Sequence, residues 1–175
     1  MSLPAPARRT ASRFIASAAA LVVVAIDQLS KSWALASLRD APIDLVWTLR
    51  LRLTFNTGAA FSIGSGFPWL FVGLGVLVLG AMGIVVLRSD MARGPAVGLG
   101  MIAGGAVGNL LDRLLRDHHG AVVDFIDLQW WPVFNLADSA IFLGVAVLLL
   151  TWRDTSPKKS ADAAVQPDTA TAPGA

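Results

Sequence analysis

The 175-residue chain contains no cysteine, no tyrosine and no glutamate. Without cysteine there is no disulfide framework, no thiolate metal site and no cysteine nucleophile, so any chemistry must come from oxygen or imidazole groups. Without glutamate, all 12 acidic residues are aspartates, and every carboxylate is a short one held close to its backbone. Charge is scarce as well: 15 % of residues are charged against 55 % hydrophobic, with a mean hydropathy of +0.63. That balance lies outside the soluble range and argues for an integral membrane protein. The formal charge of +2 and pI near 9.7 could suggest a nucleic-acid partner. The Arg and Lys residues instead flank apolar runs, as topology signals do, and no nucleic acid is expected.

What the chain does have is four apolar stretches. The first follows a Pro/Ala-rich start with Arg8, Arg9 and Arg13, which is similar to the charged start of a signal peptide. Asp27 and Lys31 interrupt the run and no small-residue cleavage pattern bounds it, so it reads as a first transmembrane helix from about Phe14 to Leu38. Residues 1–13 are expected to be a disordered cytoplasmic segment. Trp69–Leu87, Pro95–Leu111 and Phe134–Trp152 each approach the ~20 residues that cross ~30 Å of hydrocarbon. Four helices then occupy 14–152, with both termini cytoplasmic. Arg88, Arg93, Arg153, Lys158 and Lys159 share a side with the N-terminal arginines, against Arg39, Arg50, Arg52 and Arg116 on the other. Residues 153–175 lack periodicity and cannot bury a core, so a disordered cytoplasmic tail is expected.

Between the first two helices, Asp44–Ile63 is rich in β-formers, with Leu51, Leu53 and Phe55 alternating against Arg50, Arg52 and Thr54. This predicts a small β-rich subdomain on the extracytoplasmic face, with Asn56, Thr57 and Gly58 turning between its two runs. The expected fold is therefore an all-α integral membrane protein of four transmembrane helices carrying that subdomain. The third helix bears Gly100, Gly104 and Gly108 at four-residue spacing, a stripe that lets another helix approach closely. One more step of four reaches Asp112, which places this carboxylate inside the bundle.

Threading the helices alternately brings Asp27, Lys31, Asn109, Asp112, Arg113, Asn135 and Asp138 to one depth, with Asp124 and Asn56 in connections on the same side. A charge at mid-bilayer costs at least ~2.5 kcal/mol, so such groups face one another or water and mark function. Asp27 and Lys31 are four apart in the favourable acid-before-base order. Asn109, Asp112 and Arg113 present an amide, an acid and a guanidinium on one turn. Asp124, flanked by Val122, Val123, Phe125 and Ile126, is an acid in an apolar neighbourhood. Asp138 opens the last helix, where the dipole favours an anion. On the residues alone these two read equally as a loop acid and a helix cap or as an acid/base pair.

Five segments carry a resemblance: Asp27-Gln28-Leu29-Ser30-Lys31, Asn56-Thr57-Gly58-Ala59-Ala60-Phe61, Gly104 to Arg113, Val123-Asp124-Phe125 and Phe134-Asn135-Leu136-Ala137-Asp138. In this order and spacing, from about Phe14 to Trp152, the chain resembles the lipoprotein signal peptidases, or signal peptidase II. The resemblance implies an aspartic endopeptidase of the bacterial inner membrane. Such an enzyme removes the signal peptide of a prolipoprotein just before its diacylglyceryl-modified cysteine. Asp124 and Asp138 match the catalytic dyad. Asn56, Gly58, Asn109, Arg113 and Asn135 match positions that hold substrate or the inhibitor globomycin, and Asp27, Lys31 and Asp112 match supporting polar positions. The partners implied are lipid-modified prolipoproteins and membrane lipid; no metal or cofactor is required, and a monomer is expected.

Two other classes compete with this reading. A small four-helix transporter or ion pathway would also use intramembrane Asp and Lys, but calls for polar groups through the whole bilayer depth. A divalent-metal hydrolase would enlist His118 and His119 with the aspartates.

Overall fold

The computed structural model describes residues 5–58 and 68–152. Its elements run α1 (Ala5–Ser37), β1 (Ile43–Val46), β2 (Leu49–Asn56), α2 (Pro68–Arg88), α3 (Arg93–Leu115), β3 (Val122–Asp127) and α4 (Leu136–Trp152). The expected tail at 153–175 lies outside the described residues, as do Ala59, Ala60 and Phe61 of the second motif and the end of the β-rich stretch at Ile63. Among the described residues three helical stretches are long and apolar enough to cross a membrane: Arg9–Ser37, Trp69–Arg88 and Arg93–Leu115. The apolar part of α4, Leu136–Thr151, is shorter.

The helix α1 corrects one expectation. It begins at Ala5, so Ala5–Arg13 is helical and not disordered. The segment is alanine-rich, and Pro6 falls in the first turn, where a missing N–H costs nothing.

Side-chain size sorts these helices. Phe14, Leu21, Leu29, Trp69, Leu77, Phe142 and Leu150 point outward, whereas Ala16, Ala34, Ala96, Ala137 and Ala140 are buried. Lipid is as apolar as leucine, so large residues gain nothing by turning inward, and helices associate through close backbone contact. The hub is α3. On one flank Gly100 and Gly104 lie against Ala16 and Ala20 of α1, where a Cβ on Gly104 would come within 2.6 Å of the Ala20 carbonyl oxygen. On the other flank a Cβ on Gly98 would come within 2.8 Å of the Gly144 carbonyl oxygen in α4. The glycine stripe does seat α1 on α3, and Asp112, one step further, is fully buried.

The β subdomain departs from the expectation in two ways. Its hairpin turns at Trp47 and Thr48, with Val46 opposite Leu49 and Trp47 in the left-handed region at φ 51°. Asn56 ends β2, where it pairs with Val122, and its Oδ1 accepts the Gly58 N–H as a turn there requires, while the run that follows lies outside the described residues. Among the described residues the sheet also has three strands, in the order β1-β2-β3, because the α3–α4 connection contributes β3 antiparallel to β2. Phe134 exchanges backbone hydrogen bonds with Ile126 at 2.8 and 3.0 Å, so residues 128–133 form an excursion that returns to β3. Phe125 packs with Ala34 and Leu38 of α1, seating the sheet on the bundle end where α4 begins.

Candidate active site

The end of the bundle beneath the sheet holds a buried charge cluster. Lys31 and Asp27 on α1 and Asp112 on α3 are each 0 % exposed. The Lys31 ammonium lies 2.9 Å from Asp27 and 3.0 Å from Asp112, and donates a third hydrogen bond to Asn109 Oδ1 at 2.9 Å. Arg116 reaches back one turn to Asp112 Oδ1 at 2.9 Å. Backbone donors complete the two carboxylates: Asp27 accepts the Ala137 N–H on its other oxygen at 3.0 Å, and Asp112 accepts the Val123 N–H at 3.0 Å on the Oδ2 that also faces Lys31. Gln28 Nε2 donates to Asp112 and to the Gly108 carbonyl, both at 3.1 Å. Every lone charge here is met, as burial demands, and the cluster ties α1, α3, β3 and α4 together.

Asp124 and Asp138 are held differently: among the described residues neither is paired with a cation. Asp124, 2 % exposed on β3, accepts from Asn135 Nδ2 at 2.7 Å and from Asn56 Nδ2 at 3.1 Å. These amide orientations follow from donor-only neighbours. Asn56 Oδ1 accepts the Gly58 N–H at 3.0 Å, and Asn135 Oδ1 accepts the Asp138 N–H at 2.9 Å. Asp138 accepts from Asn109 Nδ2 at 2.8 Å and from the Asn135 N–H at 3.2 Å. Asn135 and Asp138 thus form a reciprocal cap on α4. The capping role that the sequence suggests for Asp138 is real, and it points this carboxylate into the cavity. Burial, then the Asp138 charge, push the Asp124 carboxyl up to about 7 against the hydrogen bonds from Asn56 and Asn135 and the Lys31 charge.

Both carboxylates line a cavity of about 610 Å³. Asn56, Gly58, Asn109 and Arg113 share its polar end, while Leu74, Val78, Ile141 and Val145 continue it between α2 and α4 as an apolar cleft. Arg113 donates to the Gly58 carbonyl at 2.8 Å, and its guanidinium sits 5.5 Å from the Phe71 ring centroid. Trp131, Pro132, Val133 and Phe134 close one wall. That wall is anchored by Asp127, which accepts from Arg50 and Arg52, each at 2.8 Å, and from the Gln129 N–H at 2.7 Å. Burial acts to raise the Asp127 pKa, but the bonds from Arg50, the Gln129 N–H and Arg52 outweigh it and hold the carboxyl below its ordinary value.

The structure brings Asp27, Lys31, Asn56, Gly58, Asn109, Asp112, Arg113, Asp124, Asn135 and Asp138 to one end of the bundle. It divides them, however: Asp112 turns toward Lys31 and Arg116, and Arg113 turns into the cavity, so the acid and guanidinium expected together are separated. The sequence reading missed Gln28, Arg116, Asp127 and Trp131. For Arg116 a signal was present, since it stands four residues after Asp112 in the acid-before-base order. His118 packs against Phe55 with centroids 4.5 Å apart, and among the described residues no group of three His or Asp could hold a metal ion. A second cavity of about 340 Å³ at the other end of the bundle is lined by Ala16, Ala20, Leu79, Met82 and other small or apolar residues. Among the described residues the buried charged groups therefore gather at one end, where a transport path would need them through the depth of the bundle.

The family model described as Signal peptidase (SPase) II matches residues 19–153. A lipoprotein signal peptidase of Syntrophomonas wolfei subsp. wolfei is 47 % identical over 132 residues, covering 74 % of this chain and 87 % of its own. One from Mycobacterium tuberculosis is 43 % identical over 157 residues, covering 84 % of this chain and 73 % of its own. A solved structure described as a bacterial membrane enzyme superposes with a TM-score of 0.73 at 30 % identity, over 83 % of this chain and 92 % of that one.

Proposed function

The chain belongs to the signal peptidase II family, and from that premise we propose that it is an aspartic endopeptidase that removes signal peptides from prolipoproteins through Asp124 and Asp138. The observation that carries the aspartic assignment is the contrast among the buried acids. Asp27, Asp112 and Asp127 are neutralised by Lys or Arg, while Asp124 and Asp138 face a cavity and, among the described residues, are gripped by amides and backbone N–H groups alone. Cations would lock both acids in the ionised form; neutral amides leave a proton free to move.

In the reaction, Asp138 at the α4 N-terminus takes a proton from a water as that water attacks the scissile carbonyl. Asp124, protonated, donates to the carbonyl oxygen. As the tetrahedral adduct collapses, Asp138 gives its proton to the leaving amine and Asp124 takes one back from the adduct's hydroxyl, so the pair ends as it began. Arg113, Asn56 and Gly58 border the polar end, where the peptide backbone would lie. The cleft between α2 and α4 suits the apolar parts of a lipid-modified substrate.

The same reading makes α4 the fourth span of the bacterial inner membrane. The dyad then lies near the extracytoplasmic face, both termini are cytoplasmic, and the protein acts as a monomer. The test is cleavage of a diacylglyceryl-modified prolipoprotein by the purified protein in detergent. Asp124→Asn and Asp138→Asn, which keep side-chain size, should each lose at least ~10²-fold in turnover while remaining folded. A variant that retains near-normal turnover removes that aspartate from the dyad.

A further inference from the structure

Lys31 has more to do than neutralise two acids. Its three ammonium protons go to three different acceptors: Asp27 Oδ2 at 2.9 Å, Asp112 Oδ2 at 3.0 Å and Asn109 Oδ1 at 2.9 Å. Charge balance needs only the first two, and Arg116 already shares Asp112. The third bond reaches toward the cavity. An ammonium can only donate, so the Asn109 atom facing it must be the oxygen. Asn135 Nδ2 donates to the same oxygen at 3.1 Å. The Asn109 amino group is thereby turned the other way, where it donates to Asp138 Oδ1 at 2.8 Å.

We propose that Lys31 is a positioning residue for catalysis, whose ammonium fixes the Asn109 amide with its N–H toward Asp138 and so holds Asp138 as the proton acceptor of the dyad. The inference rests on the peptidase reading above. Among the described residues Lys31 makes no hydrogen bond or ion pair with Asp124 or Asp138; apart from its charge, which is felt at Asp124, it works through one amide. With the ammonium gone, of the two donors only Asn135 Nδ2 at 3.1 Å still holds the Asn109 oxygen, and an amide that turns that oxygen to Asp138 withdraws the N–H that holds Asp138 as the base. The charged groups around this chain are Asp27 on α1, Asp112, Arg113 and Arg116 on α3, Asp124 on β3 and Asp138 on α4. None of them substitutes for Lys31, because among the described residues no other cation bonds to Asn109 Oδ1.

The experiment measures kcat and KM separately for a diacylglyceryl-modified prolipoprotein, with thermal unfolding in detergent as the check on folding. Lys31→Met strands two buried carboxylates, so the principal variant is Asp27→Asn with Lys31→Met, which removes one charge of each sign. Asn109→Asp keeps the volume and the ionic partner for Lys31 but puts an oxygen toward Asp138. The proposal expects kcat to fall about 10²-fold in both, with KM changed less than about threefold. Combined with Asn109→Asp, the Asp27→Asn and Lys31→Met changes should cost little more, because they break the same chain.

Multiplying losses in the combined variant, or normal kcat in the folded double variant, would overturn the proposal. So would failure of the Lys31 variants to fold while Asn109→Asp folds, since that leaves neutralisation as the role of the lysine. In each of these cases loss of activity in Asp124→Asn and Asp138→Asn leaves the peptidase reading intact. Retained activity in those two variants would sink the peptidase reading itself.

Discussion

Asp124 is 2 % exposed on a strand between valines and phenylalanine, and its carboxyl is pushed up to about 7. A group so placed serves as an acid only while it holds its proton. As pH rises through about 7 the protonated fraction falls tenfold per unit, so kcat/KM should show an alkaline limb beginning there. A profile that instead rises through this range would reverse the roles of Asp124 and Asp138. The same shift bears on stability. A carboxyl raised in the folded state contributes stability that is complete below its unfolded value of 3.8 and lost as pH rises through the folded one. Asp124→Asn cannot ionise, and its melting temperature should gain on the wild type between about pH 4 and 7. The convergence of these residues was legible in the sequence, because alternate threading of four helices leaves little choice of depth. The division between Asp112 and Arg113 was not, although the helix predicts it: neighbours differ by about 100° around the axis. Asn109 lies between them, facing both the Lys31 ammonium and the cavity.

At the scale of elements, the helices were readable from apolar runs and the glycine stripe, while β3 was passed over. Val122–Asp127 is a six-residue strand whose partner lies some seventy residues earlier, and no local period announces a pairing across that distance. Missing β3 also hid Asp127, whose carboxylate joins Arg50 and Arg52 of β2 to the Gln129 N–H at the root of the cavity wall. Asp127→Ala leaves these donors unmet. Because Arg50 and Arg52 are 30 % and 44 % exposed, water replaces much of what is lost, and the cost should be about 1 kcal/mol. The larger effect should fall on Trp131 and Pro132, which line the cavity, so KM should rise severalfold with kcat less changed. A pure kcat defect would place Asp127 elsewhere in the mechanism. Since the Asp127 carboxyl is held below its ordinary value, its contribution is present above the usual carboxylate range and lost on acidification through its folded pKa. The wild type and the variant should therefore converge in melting temperature at low pH.

For the whole molecule, the two ends differ in kind. One carries the sheet, the buried ions and the cavity lined by Asp124 and Asp138. At the other, Arg13 donates to the Leu87 carbonyl at the end of α2, beside Arg88, Arg93 and a core of Ala16, Met91, Ala96 and Leu99. The arginines at the site end have partners of their own, Arg50 and Arg52 on Asp127 and Arg116 on Asp112. They serve the site there, and their presence does not argue against an extracytoplasmic placement. The orientation can be read directly because the chain has no cysteine, so a single introduced thiol labels without background. Thr48→Cys at the hairpin turn should react with a membrane-impermeant maleimide in intact spheroplasts. Ser89→Cys, between α2 and α3, and Ala175→Cys at the C-terminus should react only after permeabilisation. The C-terminal thiol decides the status of α4, which has 17 residues, the lower edge of what spans a bilayer at ~1.5 Å per residue. If Ala175→Cys labels from outside, α4 does not cross. The groove between α2 and α4 would then face something other than the acyl region from which the lipid-modified substrate proposed above would arrive.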